Sequence, residues 1–257
     1  MSTPFKIDEL KQLHEKQYRD ERRLFLAEGE HLVLELAKAL RHKPELSGAQ
    51  VFVSHEFGNG EPLADWSRAF PVHRINSRQI SALSDTRNPQ GIVAVVPMLS
   101  PAPVRLGEKS IYLHEIQDPG NLGTILRTLA WFGDFRCLLS PQSVDPYNPK
   151  VIRASMGAIF SVPIETDVSI EELITRCPRL ALLDVHGESL TTTSFSHFDG
   201  YVFGSEARGL PAALTSRSQS SKFSIPGSGR IDSLNLASAV NICSYELRRG
   251  VQKSNAI

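Results

Sequence analysis

Three polar segments, each following a short apolar run, contain the residue types that could do chemistry. The first covers residues 114–128, where a strand-like run meets Asp-Pro-Gly-Asn and then a helix that carries Asn121 and Arg127. Apolar residues recur along this helix at helical spacing, and at about 100° per residue Arg127 falls roughly 140° from the centre of that stripe. We therefore expect Arg127 to point towards solvent, a substrate or a partner subunit. Taken alone, the segment fits a surface arginine beside a simple turn equally well.

The second segment, residues 201–211, is an apolar strand that ends at Gly204 and is followed almost at once by Glu206. A glycine at a strand end allows a ligand to approach the backbone closely. A carboxylate at this position could accept hydrogen bonds or orient Arg127. The simpler alternative, an acid favoured in the first turn of a helix, is the better interpretation of Glu206 in isolation.

The third segment, residues 223–240, is an irregular loop with two glycines that leads into the last helix. Ser233 is the predicted N-cap of that helix. An asparagine in the first turn is costly if it is buried without partners, so Asn235 either caps the helix or stays exposed. A fourth segment, residues 153–163, has small residues that allow close packing, and Ser155 is interpreted as structural.

Composition argues against several classes of site and of protein. Lys plus Arg and Asp plus Glu both number 28, so the neutral chain argues mildly against RNA binding but allows a local basic face. The three cysteines are isolated in sequence, which indicates neither a zinc site nor a disulfide framework and fits a reducing cytoplasm. The glycine patterns of dinucleotide and phosphate loops are absent. No apolar run approaches the ~20 residues of a membrane span, so we expect no membrane contact.

Prolines clustered near residue 100 divide the chain into two predicted domains, residues 1–99 and residues 100–257. The first alternates helix and strand as a small α/β domain, and it begins with a charged helix predicted over residues 7–20. Its basic clusters, at residues 11–23 and 68–87, are either a solvated face or an RNA-binding patch. The second domain has the rhythm of a parallel sheet. Its predicted strands are residues 111–116, 135–140, 180–185, 201–203 and 223–225.

In order and spacing, the chemical segments resemble the SpoU/TrmH family of RNA ribose 2′-O-methyltransferases, within the SPOUT superfamily. The first segment matches the family pattern DPGNLGTIxRT, the second GxExxGL and the third IPxxGxxxSLN, and the resemblance covers residues 110–250. Residues 20–97 resemble the family's smaller L30e-like substrate-binding domain. The chain departs from the family at Gly227, where methionine is usual, and at Ser205, where asparagine is common.

The resemblance implies a SPOUT-type parallel α/β sheet with a C-terminal trefoil knot, preceded by the small L30e-like domain. It implies S-adenosylmethionine as cofactor, no metal, RNA as substrate and a homodimer in which Arg127 of one chain completes the site of the other. Ribosomal RNA is favoured over transfer RNA. A non-catalytic RNA-binding module and a nucleotide-binding oxidoreductase are the weaker alternatives. The implied catalytic residues are Asn121, Arg127, Glu206, Ser233 and Asn235, and the implied cofactor-binding residues are Gly204, Ile225 and Leu234.

Overall fold

The computed structural model describes residues 6–58 and 61–249, which divide into two compact units. Among these residues, the first unit draws on Met1–Ser100 and Asp145–Ser161, and the second draws on Pro101–Val144 and Val162–Ile257. The sequence analysis assigned residues 145–161 to the C-terminal domain, whereas in the structure they pack with the first unit. No helix of the described part is both long and apolar enough to cross a membrane.

The elements alternate helix and strand along most of the chain. Through residue 100 they are α1 (Ile7–Lys11), α2 (Lys16–Arg22), β1 (Leu24–Glu28), α3 (Glu30–Leu40), β2 (Gln50–Ser54), α4 (Glu61–Ala69), β3 (Val72–Ile75), α5 (Ser77–Leu83) and β4 (Ile92–Pro97). After residue 100 they are β5 (Lys109–Leu113), α6 (Pro119–Phe132), β6 (Phe135–Leu139), α7 (Pro149–Ser155), β7 (Ile164–Glu165), α8 (Ile170–Arg176), β8 (Leu180–Ser189), β9 (Gly200–Phe203), α9 (Ala212–Thr215), β10 (Ser220–Ser224) and α10 (Leu236–Arg248).

The first unit is built on a four-stranded sheet in the order β1-β4-β2-β3, in which β4 is antiparallel to both neighbours and β2 is parallel to β3. One face of this sheet packs on the N-terminal helices and α5. Of the two residues that could cap α5 from their types, Asn76 and Ser77, the structure uses Asn76: its side chain accepts from the backbone N–H of Gln79 at 2.9 Å. The buried side chains of this core are Leu10, Leu13, Leu26, Phe52, Ile80, Leu83, Val93 and Val95.

The single helix predicted over residues 7–20 is wrong, because the chain is extended at Glu15 (φ −95°, ψ 136°) between two short helices. The break turns Leu13 into the core and leaves the carbonyls of residues 13 and 14 without helical partners. Arg19 Nη1 donates to both carbonyls, each at 2.8 Å. A buried guanidinium therefore replaces the missing helical hydrogen bonds.

Within the first unit, Asp145–Ser161 contributes α7 and a short 3₁₀ turn at Ala158–Phe160. A first-turn proline and the residues that follow it predict a helix over residues 149–159. In the structure α7 ends at Ser155, because Met156 and Gly157 both adopt positive φ (50° and 90°). A Cβ at Gly157 would lie 2.5 Å from the Cβ of Glu35, so close packing against α3 favours glycine there.

The second unit is a six-stranded sheet in the order β10-β8-β9-β5-β6-β7, with every neighbouring pair parallel. The predicted parallel α/β sheet is therefore confirmed. From β5 the chain moves outward to β6 and β7, and then crosses to the other side for β8, β9 and β10. The order thus reverses between β5 and β9. In open parallel sheets, ligands bind at the carboxyl ends of the strands where such a reversal occurs.

Candidate active site

The carboxyl ends of β5 and β9 lie side by side at the reversal of the strand order. Leu113 pairs with Phe203 at the last positions of the two strands, and the backbone N–H of His114 donates to the Phe203 carbonyl at 2.9 Å. The loops that leave these strands contain the first and second chemical segments of the sequence. The fold therefore brings together residues that are about ninety positions apart in the chain.

A chain of side-chain hydrogen bonds, which we call the amide relay, connects Glu206, Asn121 and Asn235. Asn121 Nδ2 donates to Glu206 Oε1 at 2.7 Å, and Asn235 Nδ2 donates to Asn121 Oδ1 at 3.0 Å. Asn235 Oδ1 in turn accepts from the backbone N–H groups of Ala237 and Ser238 at 2.9 and 3.3 Å. Three of the predicted site residues are thus fixed relative to one another, one from each chemical segment.

Helix caps set the positions of both amides in the relay. Asp118 Oδ1 accepts from the backbone N–H of Asn121 at 2.6 Å, and Pro119 occupies the first turn of α6. Asn235 is itself the N-cap of α10. The prediction that Ser233 caps this helix is wrong, because the first free N–H groups of α10 already bind Asn235 Oδ1. Ser233 lies in the exposed loop before the cap.

Gly204 has a steric role that the sequence did not indicate. Backbone hydrogen bonds join Ser205 and Gly209 in both directions, at 3.0 and 2.8 Å, so the loop folds back over the end of β9. A Cβ at Gly204 would lie 2.4 Å from the carbonyl carbon of Gly209 and 2.6 Å from its oxygen. The close backbone approach expected at Gly204 is therefore made by its own loop.

Gly204→Ala is expected to destabilise the protein by about 1–3 kcal/mol, the usual range for a group forced into a packed space. The loop that carries Glu206 has to move, because both atoms in conflict belong to the backbone. Urea unfolding measures this change. The matched control is Gly227→Ala, since a Cβ at Gly227 meets no heavy atom within 4 Å. Equal stability of the two variants would contradict the steric role.

Arg127 is exposed on α6, as the helical spacing predicts. It follows Asn121 by six residues, which corresponds to about 9 Å along the axis and about 120° around it. Within residues 6–58 and 61–249 its guanidinium has no hydrogen bond or ion pair. The structure therefore joins Asn121, Glu206 and Asn235 but does not bring Arg127 to them within one chain.

Residues 225–234 form an open loop between β10 and the cap of α10. Ile225 is half-buried and Leu234 is exposed, and no residue of this loop forms a hydrogen bond with another described part of the chain. Their backbone N–H and C=O groups are available to a ligand. The space beside Gly227 is also open, so its departure from the family's methionine removes bulk but causes no clash.

β8 contains an excursion that no feature of the sequence indicates. Along β10, Lys222 pairs with Leu182 and the next residue, Phe223, pairs with Glu188. Residues 183–187 of β8 therefore have no partner in β10. Lys222 Nζ and Asp184 Oδ2 are 2.7 Å apart across the base of this excursion. The pKa of Asp184 is lowered: burial opposes the shift, but the hydrogen bond and charge of Lys222 outweigh it.

His114 and Glu115 lie beneath the loop of residues 204–211. Burial lowers the pKa of His114 below its usual value, which favours the neutral imidazole. Glu115 has φ 51°, an uncommon conformation for a residue other than glycine, and it forms an ion pair with Arg208. The described residues contain no cluster of His, Cys, Asp and Glu suited to a metal ion.

Two family models and several known proteins match this chain. The model of the SpoU rRNA Methylase family matches residues 108–245, and that of the MRM3-like substrate binding domain matches residues 5–94. The chain is 34% identical over 255 residues to an uncharacterized tRNA/rRNA methyltransferase of Synechocystis sp., covering 95% of this chain and 90% of the relative. It is 29% identical over 252 residues to the 23S rRNA (guanosine(2553)-2′-O)-methyltransferase RlmP of Bacillus subtilis, covering 95% and 96%.

A solved structure is similar over nearly the whole chain. The AdoMet-bound rRNA methyltransferase from Sinorhizobium meliloti has a TM-score of 0.78 and 29% sequence identity, and the match covers 96% of this chain and 95% of that one. The first family model spans more than half of the chain, and its range contains all of the amide relay. The chain belongs to the SpoU rRNA methylase family, whose members are RNA methyltransferases that use S-adenosylmethionine.

Proposed function

We propose that this protein transfers the methyl group of S-adenosylmethionine to a ribose 2′-hydroxyl of ribosomal RNA. The amide relay is the observation that carries the proposal, because it connects a carboxylate and two amides where parallel sheets bind ligands. Transfer RNA is the alternative substrate. The name of the Bacillus subtilis relative, a 23S rRNA 2′-O-methyltransferase, favours ribosomal RNA.

The open loop of residues 225–234 fits the proposed cofactor. S-adenosylmethionine carries an adenine, ribose hydroxyls, a carboxylate and an ammonium group, all of which form hydrogen bonds, and its sulfonium supplies an activated methyl group. We assign its binding to backbone groups at Gly204, Ile225 and Leu234. The free N–H and C=O groups of the loop support this assignment.

The remaining residues orient the RNA and stabilise charge. A ribose hydroxyl is a weak acid, and it loses its proton as it attacks the methyl carbon. We assign to Arg127 the electrostatic stabilisation of the developing alkoxide, because a guanidinium normally stays protonated and makes a poor base. Asn121, Ser233 and Asn235 would hold the ribose and the neighbouring phosphate. Glu206 would keep Asn121 in place through their hydrogen bond.

We also propose a homodimer that forms through the face of α6 and α10. The two helices pack together, with the Phe132 and Tyr245 rings 6.2 Å apart in an edge-on contact. On their outer side, Trp131, Ile242 and Tyr245 are exposed apolar side chains, and Arg127 is one helical turn from Trp131. Burying this surface in a second copy would carry Arg127 towards the partner's relay. The C-terminal trefoil knot remains part of the proposal.

Trp131→Glu is expected to convert the dimer into a monomer and to remove methyl transfer, because a charge in an apolar interface is costly to desolvate. Light scattering coupled to size-exclusion chromatography measures the mass. Val185→Glu, at another exposed apolar position of the second unit, is the control and should stay dimeric. A dimeric and active Trp131→Glu protein would contradict the proposed interface.

A non-catalytic RNA-binding module would have no need to keep the relay, and an oxidoreductase would bind NAD in place of S-adenosylmethionine. Cofactor binding measured by calorimetry separates both from the proposal.

The three cysteines are free and buried, which supports the proposed cytoplasmic location.

Incubation with radiolabelled S-adenosylmethionine tests both the activity and the class of RNA. The substrates are ribosomal and transfer RNA from a strain that lacks this protein, so that the target nucleotide is unmethylated. Label in ribosomal RNA alone is the expected result. Label only in transfer RNA would correct the substrate, and no label in either RNA would overturn the proposed function.

A further inference from the structure

The loop of residues 204–211 is tied at two points to the segment that follows β5. Glu206 Oε1 accepts from Asn121 Nδ2 at 2.7 Å. Two residues later, Arg208 Nη2 forms an ion pair with Glu115 Oε2. Because Ser205 and Gly209 also close the loop on itself, these contacts on either side of Ala207 fix the direction in which Glu206 points.

Glu115 is a rigid anchor for the second contact. Its backbone N–H donates to Ser140 Oγ at 2.7 Å, and its carbonyl accepts from Gln117 Nε2 at 3.2 Å. The Glu115 side chain is only 16% exposed, whereas that of Arg208 is 69% exposed. Arg208 therefore reaches from the exposed loop to a carboxylate whose backbone is already held at the end of β5.

Arg208 supplies the positive charge that Glu115 requires. In the described part of the chain, Glu115 Oε2 has no hydrogen-bond partner beyond this ion pair. The nearest other basic group is His114, whose Nε2 lies 3.8 Å from Glu115 Oε1. Burial lowers the pKa of that imidazole, which makes it a poor substitute for a guanidinium. Loss of Arg208 would leave a mostly buried carboxylate without its guanidinium partner.

We propose that Arg208 and Glu115 are positioning residues whose ion pair holds Glu206 within hydrogen-bonding reach of Asn121. This inference rests on the proposed methyl transfer, because it assigns to the pair the alignment of the amide relay. Neither residue needs to touch the RNA or the cofactor. A displacement of about 1 Å at a reacting centre can lower a rate by roughly a hundredfold, so a contact outside the relay can control turnover.

The test compares Arg208→Gln, Glu115→Gln and the double variant with an equivalent ion pair at the other end of the same sheet. Arg179 Nη2 lies 2.8 Å from Asp199 Oδ1, and both are near the amino ends of β8 and β9. We expect Arg208→Gln to lower kcat for methyl transfer by roughly tenfold to a hundredfold with little change in KM for RNA. Arg179→Gln should retain the wild-type kcat.

Two further comparisons isolate the ion pair from a general structural effect. Arg208→Lys keeps the positive charge and should recover part of the lost kcat. The double variant should be no slower than Arg208→Gln, since removing both partners of one contact is not additive. Full wild-type kcat in Arg208→Gln, or additive losses in the double variant, would overturn the positioning role.

Amide hydrogen exchange tests the same inference without any methyl transfer. The Gly209 N–H donates to the Ser205 carbonyl at 2.8 Å, and it reports whether the loop is closed. Its exchange should become faster in Arg208→Gln and should be unchanged in Arg179→Gln. If Arg208→Gln exchanges faster but the wild-type protein methylates no RNA, the proposed function is wrong and the role of the ion pair in closing the loop stands. Unchanged exchange in an active enzyme would overturn only the inference.

Discussion

Arg127→Ala is expected to lower kcat for methyl transfer by about 10²–10⁴-fold while leaving the affinity for S-adenosylmethionine unchanged. The range is that of one group which assists proton transfer or stabilises charge in the transition state. Arg127 is exposed on α6 and has no hydrogen bond or ion pair within the described chain, so its removal breaks no such interaction of the folded subunit. Single-turnover kinetics and calorimetry measure the two quantities.

The control for this variant is Arg217→Ala, which removes a guanidinium that donates to the Pro178 carbonyl at 3.1 Å and to Gln219. We expect it to remain fully active.

Mixed dimers test whether Arg127 acts across the interface. We expect Arg127→Ala and Glu206→Ala subunits each to be strongly impaired alone, because Glu206→Ala removes the oxygen that accepts from Asn121. A mixed dimer should regain one intact site if Arg127 serves the partner. An inactive mixture would contradict action between subunits.

Asp145→Ala is expected to destabilise the protein by about 3–5 kcal/mol, the range for leaving one member of a buried ion pair without its partner. Arg19 is the residue left alone: its side chain is 4% exposed and that of Asp145 is 9% exposed. Arg19 Nε also donates to Asp145 Oδ2 at 3.1 Å. Since the carbonyls of Leu13 and His14 bind the same guanidinium, the N-terminal helices should loosen with it.

A second ion pair of the same unit is the control for Asp145→Ala. Arg153 Nη2 lies 2.9 Å from Asp85 Oδ2, and both side chains are partly exposed. Exposed pairs contribute about 0–1 kcal/mol, so Asp85→Ala should change stability little. Urea unfolding of the whole chain, followed by tryptophan fluorescence and by circular dichroism, compares the variants. Equal losses in both would mean that burial does not govern the pair.

Most helices and strands could be located from the sequence, because helix caps and apolar runs depend on residues only a few positions apart. Asn76 caps α5, as its residue type indicates, and Ser169 with Glu172 begins α8 with the capping box that their spacing predicts. The apolar runs of the second unit form its parallel strands. The short β7, which pairs through only Ile164 and Glu165, had no such signal. Its two residues are too few to show periodicity.

Long-range contacts explain the places where the local structure differs from the prediction. The break at Glu15 depends on Arg19, whose carboxylate partner is 126 residues away. The early end of α7 depends on close packing of Gly157 against Glu35. Such contacts cannot be seen in the spacing of neighbouring residues, and for the same reason the sequence did not indicate that residues 145–161 pack with the first unit.

The candidate site was predictable as a set of residues but not as a geometry. Asn121, Glu206 and Asn235 stood out by type and by resemblance, yet they are 85 and 114 residues apart in the two hydrogen bonds that join them. Asn235 is both the cap of α10 and a member of the relay. The sequence analysis assigned the cap to Ser233 and therefore did not predict this double role. The positive φ of Glu115 could not be predicted, because glutamate rarely adopts that conformation and no neighbouring residue indicates it.

The most direct measurement is the chemical position of the methyl group on the RNA. RNA labelled by the purified protein is hydrolysed with alkali, which cleaves every linkage next to a free 2′-hydroxyl. We predict that the label remains in a dinucleotide resistant to alkali and that Arg127→Ala slows its appearance by the same factor of about 10²–10⁴. Label released with single nucleotides would place the methyl group on a base and contradict ribose 2′-O-methylation.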